Sequence, residues 1–182
     1  MFFRGLQVAL ILAALAWWFD PSNPSVAVAS SQGYQYQGYA IEAAKPYDME
    51  ARVLHRRDYS SGRESELSPV DLALGWGPMR RDDVLSEVQI SQRNRFYFWR
   101  VDAFPIPRRE IETHSANVHI IPASPEVEAQ LTSVREDDVV RLKGQLVNVS
   151  ARDGWQWRTS LSFKDTGAGA CELLWLEHLE VI

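Results

Sequence analysis

Hydrophobic and polar residues alternate along much of this chain, and the alternation predicts strands. Met49, Ala51, Val53 and His55 alternate with Glu50, Arg52 and Leu54, so 48–56 reads as a first strand. RFYFWRV at 95–101 is the most strand-like run, with aromatic residues and no breaker. Residues 108–113 alternate charged and apolar positions, and Ser115 to Ile121 continues that pattern until Pro122. A long alternating segment then runs from Val139 to Val149, with Gly144 inside it marking a bulge or bend. Asp153-Gly154 signals a hairpin turn into Trp155–Thr159, and Leu173 to Ile182 closes the chain as a last strand. Helical signals are shorter. Ser68-Pro69-Val70-Asp71 has the form of a helix start, with a capping hydroxyl, a proline at the first position and an acid to complete the box. The apolar turn that follows stops at Gly75-Trp76-Gly77-Pro78, which would pin an indole as a plug at one end of a core. Residues 82–87 read as a second short helix, and Ser124-Pro125 opens a third that reaches Val134 with Val127, Leu131 and Val134 on one face.

Strands outnumber helices and short turns join them, so the expected class is α+β, β-rich and mainly antiparallel. The acid-rich turn before VVRLKGQLVNV, the bend at Gly144 and the Asp-Gly hairpin are similar to small bent barrels such as the OB-fold. The expectation is an OB-like small barrel or bent sheet with two or three short helices, preceded by one N-terminal hydrophobic helix.

That first segment is the apolar run Leu6–Phe19, broken only by Gln7, with Arg4 ahead and Asp20 behind. A secretory signal would use Ala27-Val28-Ala29 as its cleavage site, but Phe19 lies far from it and Pro21 and Pro24 intervene. An uncleaved span, ending in the interfacial trio Trp17-Trp18-Phe19, suits the run better. Arg4 on the leading side keeps the N-terminus cytoplasmic in either case. The organisation expected is a transmembrane anchor or signal at 1–19, a Ser/Gly/Pro/Gln-rich tether at 20–38 and one β-rich domain at 39–182. The domain would face the periplasm from the inner membrane, or be released there after cleavage near Ala29.

The segments SPVDLALGWGPM, ISQRNRFYFWR, HSANVHIIPA, VVRLKGQLV, GWQW and DTGAGACELLW spread across the region after the tether. Through them the chain resembles an uncharacterised family of bacterial single-span envelope proteins. The resemblance implies envelope location and one-domain organisation, and it carries over no catalytic residue.

A net charge of −5 argues against nucleic acid, which needs a basic face. The single cysteine, Cys171, allows no disulfide within the chain. Candidate chemistry gathers in two places. On a strand, Ser115, Asn117 and His119 share one face, where a hydroxyl, an amide and an imidazole would surround a small ligand or tie a scaffold together. Between 165 and 172, glycines flanked by Asp165, Cys171 and Glu172 would let backbone amides approach an anion, although P-loop spacing and its lysine are missing. The six residues Ser115, Asn117, His119, Asp165, Cys171 and Glu172 form the candidate ligand-binding set. His114 and His119 point to opposite faces and no zinc spacing is present, so neither metal nor cofactor is expected. Trp155 and Trp157 share a face, either as core or as a surface for sugar or peptide. The expected function is a membrane-anchored, non-enzymatic domain binding a protein partner of the membrane or envelope, or a small ligand. The rival is a hydrolase using His119 with Cys171 or Ser115.

Overall fold

A computed structural model describes residues 28–30, 33–163 and 170–182 of the 182-residue chain. The expected span at 1–19 lies outside these residues, and among them no helix is long and apolar enough to cross a membrane. The described chain is β-rich, with a mostly antiparallel mixed sheet and four short α-helices. The strands are β1 (Val28–Ser30), β2 (Gly33–Tyr36), β3 (Tyr39–Asp58), β4 (Val70–Gly75), β5 (Gln89–Arg93), β6 (Phe96–Arg100), β7 (Ser115–Pro122), β8 (Val139–Ala151), β9 (Gln156–Trp157) and β10 (Glu172–Val181). The helices are α1 (Arg63–Leu67), α2 (Asp82–Leu85), α3 (Arg108–Thr113) and α4 (Pro125–Ser133), with a 3-10 turn at Gly77–Arg80.

Eight strands pair in the order β1-β2-β3-β4-β7-β10-β8-β9, and β3 also pairs with β8. The pairings β3–β4, β4–β7, β7–β10, β10–β8 and β8–β3 therefore return to their start, making a ring of five strands. Only β7 and β10 run parallel within it. Inside, Val53, Leu72, Leu74, Val118, Ile120, Leu142, Leu146, Leu174 and Leu176 form one core cluster. Val127, Leu131 and Val134 of α4 join that cluster, so the helix closes one side of it. Ser124 caps α4 by accepting a hydrogen bond from the Val127 amide, and Arg56 Nη1 donates to the Leu131 and Val134 carbonyls at its other end.

Residues 76–114, inserted between β4 and β7, form a separate layer. Met79, Val84, Val88 and Ile111 make its own small core, and Leu54, Ile90 and Trp99 pack against it. A second outer cluster joins Tyr39, Ile41, Val149, Leu173 and Trp175. Tyr34 of β2 stacks on Trp175 at 5.1 Å, which holds the β1–β2 hairpin to the domain. That hairpin occupies part of the segment expected to be tether.

Three further expectations change. The strand expected at 48–56 is β3 and begins earlier, at Tyr39, because Tyr39–Arg52 pairs with β8 along its length, including an exposed stretch that shows no alternation. Residues 70–75 form a strand, and Ser68 closes α1 instead of opening a helix. Val70, Leu72 and Leu74 face the core while β3 and β7 supply ladder partners on both sides, and these outweigh a local capping signal. Residues 108–113 form α3 with Ile111 buried, after Pro107 sets the entry.

The irregularity read at Gly144 falls on its partner strands. Register shifts fall at Ala43/Lys45 of β3 and at Leu176/His178 of β10, on either side of Gly144 in an unbroken β8. A Cβ on Gly144 would collide with the Trp175 carbonyl, so only glycine allows this approach. Gly154 takes φ +90° in the turn from β8 to β9, as the Asp-Gly signal requires.

Candidate functional site

The site is built on the outward face of β4 and β7. Their antiparallel register sets Asp71 opposite His119, Ala73 opposite Asn117 and Gly75 opposite Ser115. Opposed residues share a face, so the VDLALG run places one carboxylate beside the polar row predicted on β7. His119 Nδ1 lies 2.9 Å from Asp71 Oδ1.

The β5–β6 insert supplies the other half. Arg95 Nη1 donates to Asp71 Oδ1 at 2.7 Å and to the Ser68 carbonyl at 2.9 Å. Asn117 Nδ2 donates to the Arg95 carbonyl at 3.1 Å and reaches Asp71 Oδ2 at 3.5 Å. Gln92 Nε2 donates to Asn117 Oδ1, which leaves Gln92 Oε1 to accept from His55 Nδ1 at 2.9 Å. This sequence of donors places the His55 proton on Nδ1. At the far end of the row, Ser115 Oγ donates to the Ile111 carbonyl, so Tyr97 OH must be the donor of its 2.7 Å bond to Ser115. Burial pushes the Tyr97 phenol up to about 12, with the Ser115 bond opposing the shift.

Aromatic rings close the Asp71 end. The Arg95 guanidinium sits 3.7 Å over the Tyr59 ring, and the His119 ring lies 4.9 Å from Trp157. Burial raises the Tyr59 phenol; the amide of Arg95, which donates to it, opposes the shift. Further out, Trp157 meets Trp155 edge-on at 6.1 Å. Arg63 lies 4.7 Å over Trp155 and 5.3 Å over Tyr39, held there by two bonds to Asp153. Trp155 and Trp157 thus border the core and also remain half-exposed, at the rim where residues 59–69 and 152–163 converge.

Ser115, Asn117 and His119 do share a face, but they are only 6%, 3% and 3% exposed. Half-buried Cys171 joins them with its sulfur 3.8 Å from the Arg95 carbonyl. Glu172 parts from the set: it shares a face with Leu174 and Leu176, which belong to the inner core. There burial, then the charge of Glu172, raises the Tyr47 phenol above its usual range. Alternation along β10 puts Glu172 on the face of Leu174 and Leu176, while Cys171 lies just before the strand. Asp165 lies outside the described residues. Ser115 and His119 are four positions apart, about 13 Å along a strand, so the structure does not bring them together. Trp76, the expected plug, packs edge-on against Phe163 at 5.4 Å beside the inner core.

The sequence reading missed Asp71, Gln92, Arg95, Tyr97 and Tyr59. Asp71 carried a usable signal as the one charge in an otherwise apolar run, 70–74. Arg95 and Gln92 carried none, because their role depends on the insert folding back across β7. Two polar grooves lie elsewhere, at the β8–β9 end. One of about 300 Å³ is lined by Glu42, Asn148, Gln156 and Arg158, and one of about 500 Å³ by Gln35, Ala40 and Arg152.

No protein family, curated protein or solved structure matches this chain, and its functional reading rests on geometry.

Proposed function

We propose that this chain is a non-enzymatic binding domain of the cell envelope, an OB-like barrel that takes an oligosaccharide on its tryptophan rim. The apolar run at 1–19 would carry it to the inner membrane with the domain on the periplasmic side. Support for the barrel comes from the ring order. Numbered along the chain, its strands pair 1-2-3-5-4-1, with the third and fifth parallel and α4 between the third and fourth. OB-folds bind oligonucleotides or oligosaccharides on the face of strands two and three, between the first and last loops. The net charge of −5 favours the second kind of ligand.

The observation that carries the non-enzymatic reading is the sealing of the polar row. Asp71, Ser115, Asn117 and His119 are buried; the first three are hydrogen-bonded within the scaffold, and His119 Nδ1 faces the Asp71 carboxylate at 2.9 Å. A hydrolase would need His119 against a nucleophile in an open pocket. Among the described residues, Trp155 and Trp157 are half-exposed at this rim, and their flat faces suit the CH face of a sugar ring.

Titration of the full-length protein in mild detergent with soluble glycan oligosaccharides, followed by tryptophan fluorescence, tests this reading. Trp155→Ala and Trp157→Ala should each weaken binding by about tenfold or more, while Ser115→Ala leaves it within about twofold. Shortened oligosaccharides that disappear in His119→Ala would instead establish the hydrolase.

A further inference from the structure

The β5–β6 hairpin pairs separately from the eight-stranded sheet and has two unlike faces. Ile90, Gln92, Tyr97 and Trp99 point inward, to the insert core and the polar row. The outer face sets Gln89 opposite Arg100, Ser91 opposite Phe98 and Arg93 opposite Phe96. It holds no acidic residue. Phe96 and Phe98 are 43% and 40% exposed, and Phe104, which packs on Trp99, is 53% exposed. The Arg93 guanidinium sits 4.9 Å from the Phe98 ring centre. Among the described residues no element covers these aromatics on the hairpin's outer face.

Charge is distributed to match. Between Glu87 and Glu110 the chain carries arginines at 93, 95, 100, 108 and 109 against Asp102 alone, a net +4 in a chain of net −5. Arg95 is committed to Asp71 and Arg108 to Glu112, which leaves Arg93, Arg100 and Arg109 for an external partner; Arg100 has only a loose, exposed contact with Asp102 at 3.8 Å.

We infer that this face is a docking surface for an anionic phospholipid bilayer. Phe96 and Phe98 enter the boundary between headgroups and acyl chains, and Arg93 and Arg100 meet lipid phosphates. Phenylalanine, with no polar edge, gains from an apolar boundary. Three arginines at one end of an acidic domain are too few to track a polynucleotide backbone. The contact would lay the insert on the membrane and turn the opposite side of the domain away from it.

The test uses the full-length chain with a benzophenone amino acid at position 98, mixed with vesicles of phosphatidylcholine alone or with phosphatidylglycerol, in the presence of a single-stranded oligonucleotide. Irradiation should yield a phospholipid adduct with the mixed vesicles. The adduct should fall about tenfold or more in the Arg93→Glu, Arg100→Glu variant, whose changes are exposed and whose fold is checked by near-ultraviolet circular dichroism. Equal adducts on both vesicle types, no lipid adduct, or an oligonucleotide adduct in its place would each overturn the inference. Flotation with the vesicles reports the N-terminal run separately. Floating protein without an adduct removes this inference alone, whereas an adduct without stable flotation removes the anchored reading and keeps the surface.

Discussion

Asp71 has no solvent contact, yet it faces a guanidinium, an imidazole and an amide at once. A buried carboxylate is stable only with such partners, and the partners become costly once it is gone. Asp71→Ala should therefore lower unfolding free energy by about 3–5 kcal/mol in urea denaturation. A double-mutant cycle with Arg95→Ala should return a coupling of about 1 kcal/mol or more. Tyr97 adds a pH dependence. Its folded value of about 12 exceeds the unfolded 10.0, so the folded state holds its proton more tightly. Stability from this group is complete below pH 10 and is lost as pH rises toward 12. Tyr97→Phe should reduce that part of the stability–pH profile, with Tyr34, Tyr36, Tyr47 and Tyr59, raised in the same direction, supplying what remains. At this scale the β7 row was legible from alternation alone. Its closure was not, because Asp71 sat within a convincing capping pattern and Arg95 within a strand whose partners were unknown.

Elements repeat the lesson with different outcomes. The Ser124–Pro125 start of α4 was legible because cap, proline and apolar stripe all agree, and the fold uses each. Ser124→Ala should cost about 1 kcal/mol, read as a lower Tm. The Ser68–Asp71 signature had equal local merit and failed, since neighbouring strands on both sides decided the conformation of β4. Gly144 marked a local irregularity, but the register shifts are on β3 and β10 and could not be assigned from β8 alone. Gly144→Ala places a methyl on the Trp175 carbonyl and should cost at least about 3 kcal/mol or prevent folding. Soluble yield and urea midpoint would report it.

Across the whole molecule, class and strand direction were readable from periodicity, whereas layering was not. The insert at 76–114 looked like a succession of short elements in line. It is instead a lid with its own core, and the polar row predicted as a site lies beneath it. Nothing in one chain's pattern specifies which face of β7 another hairpin will cover. The consequence is a division of labour: Asp71, Gln92, Arg95 and Asn117 fasten the insert to the five-strand ring, and the proposed recognition falls to the tryptophan rim and the arginine–phenylalanine face.

That division is tested most directly by hydrogen–deuterium exchange on wild-type protein and on Asn117→Leu, which removes the bonds to Gln92 and to the Arg95 carbonyl. The account predicts a loss of protection confined to residues 89–100, with the ring strands at 139–149 as protected as before. Unchanged protection over 89–100, or a uniform loss across the whole domain, would contradict it.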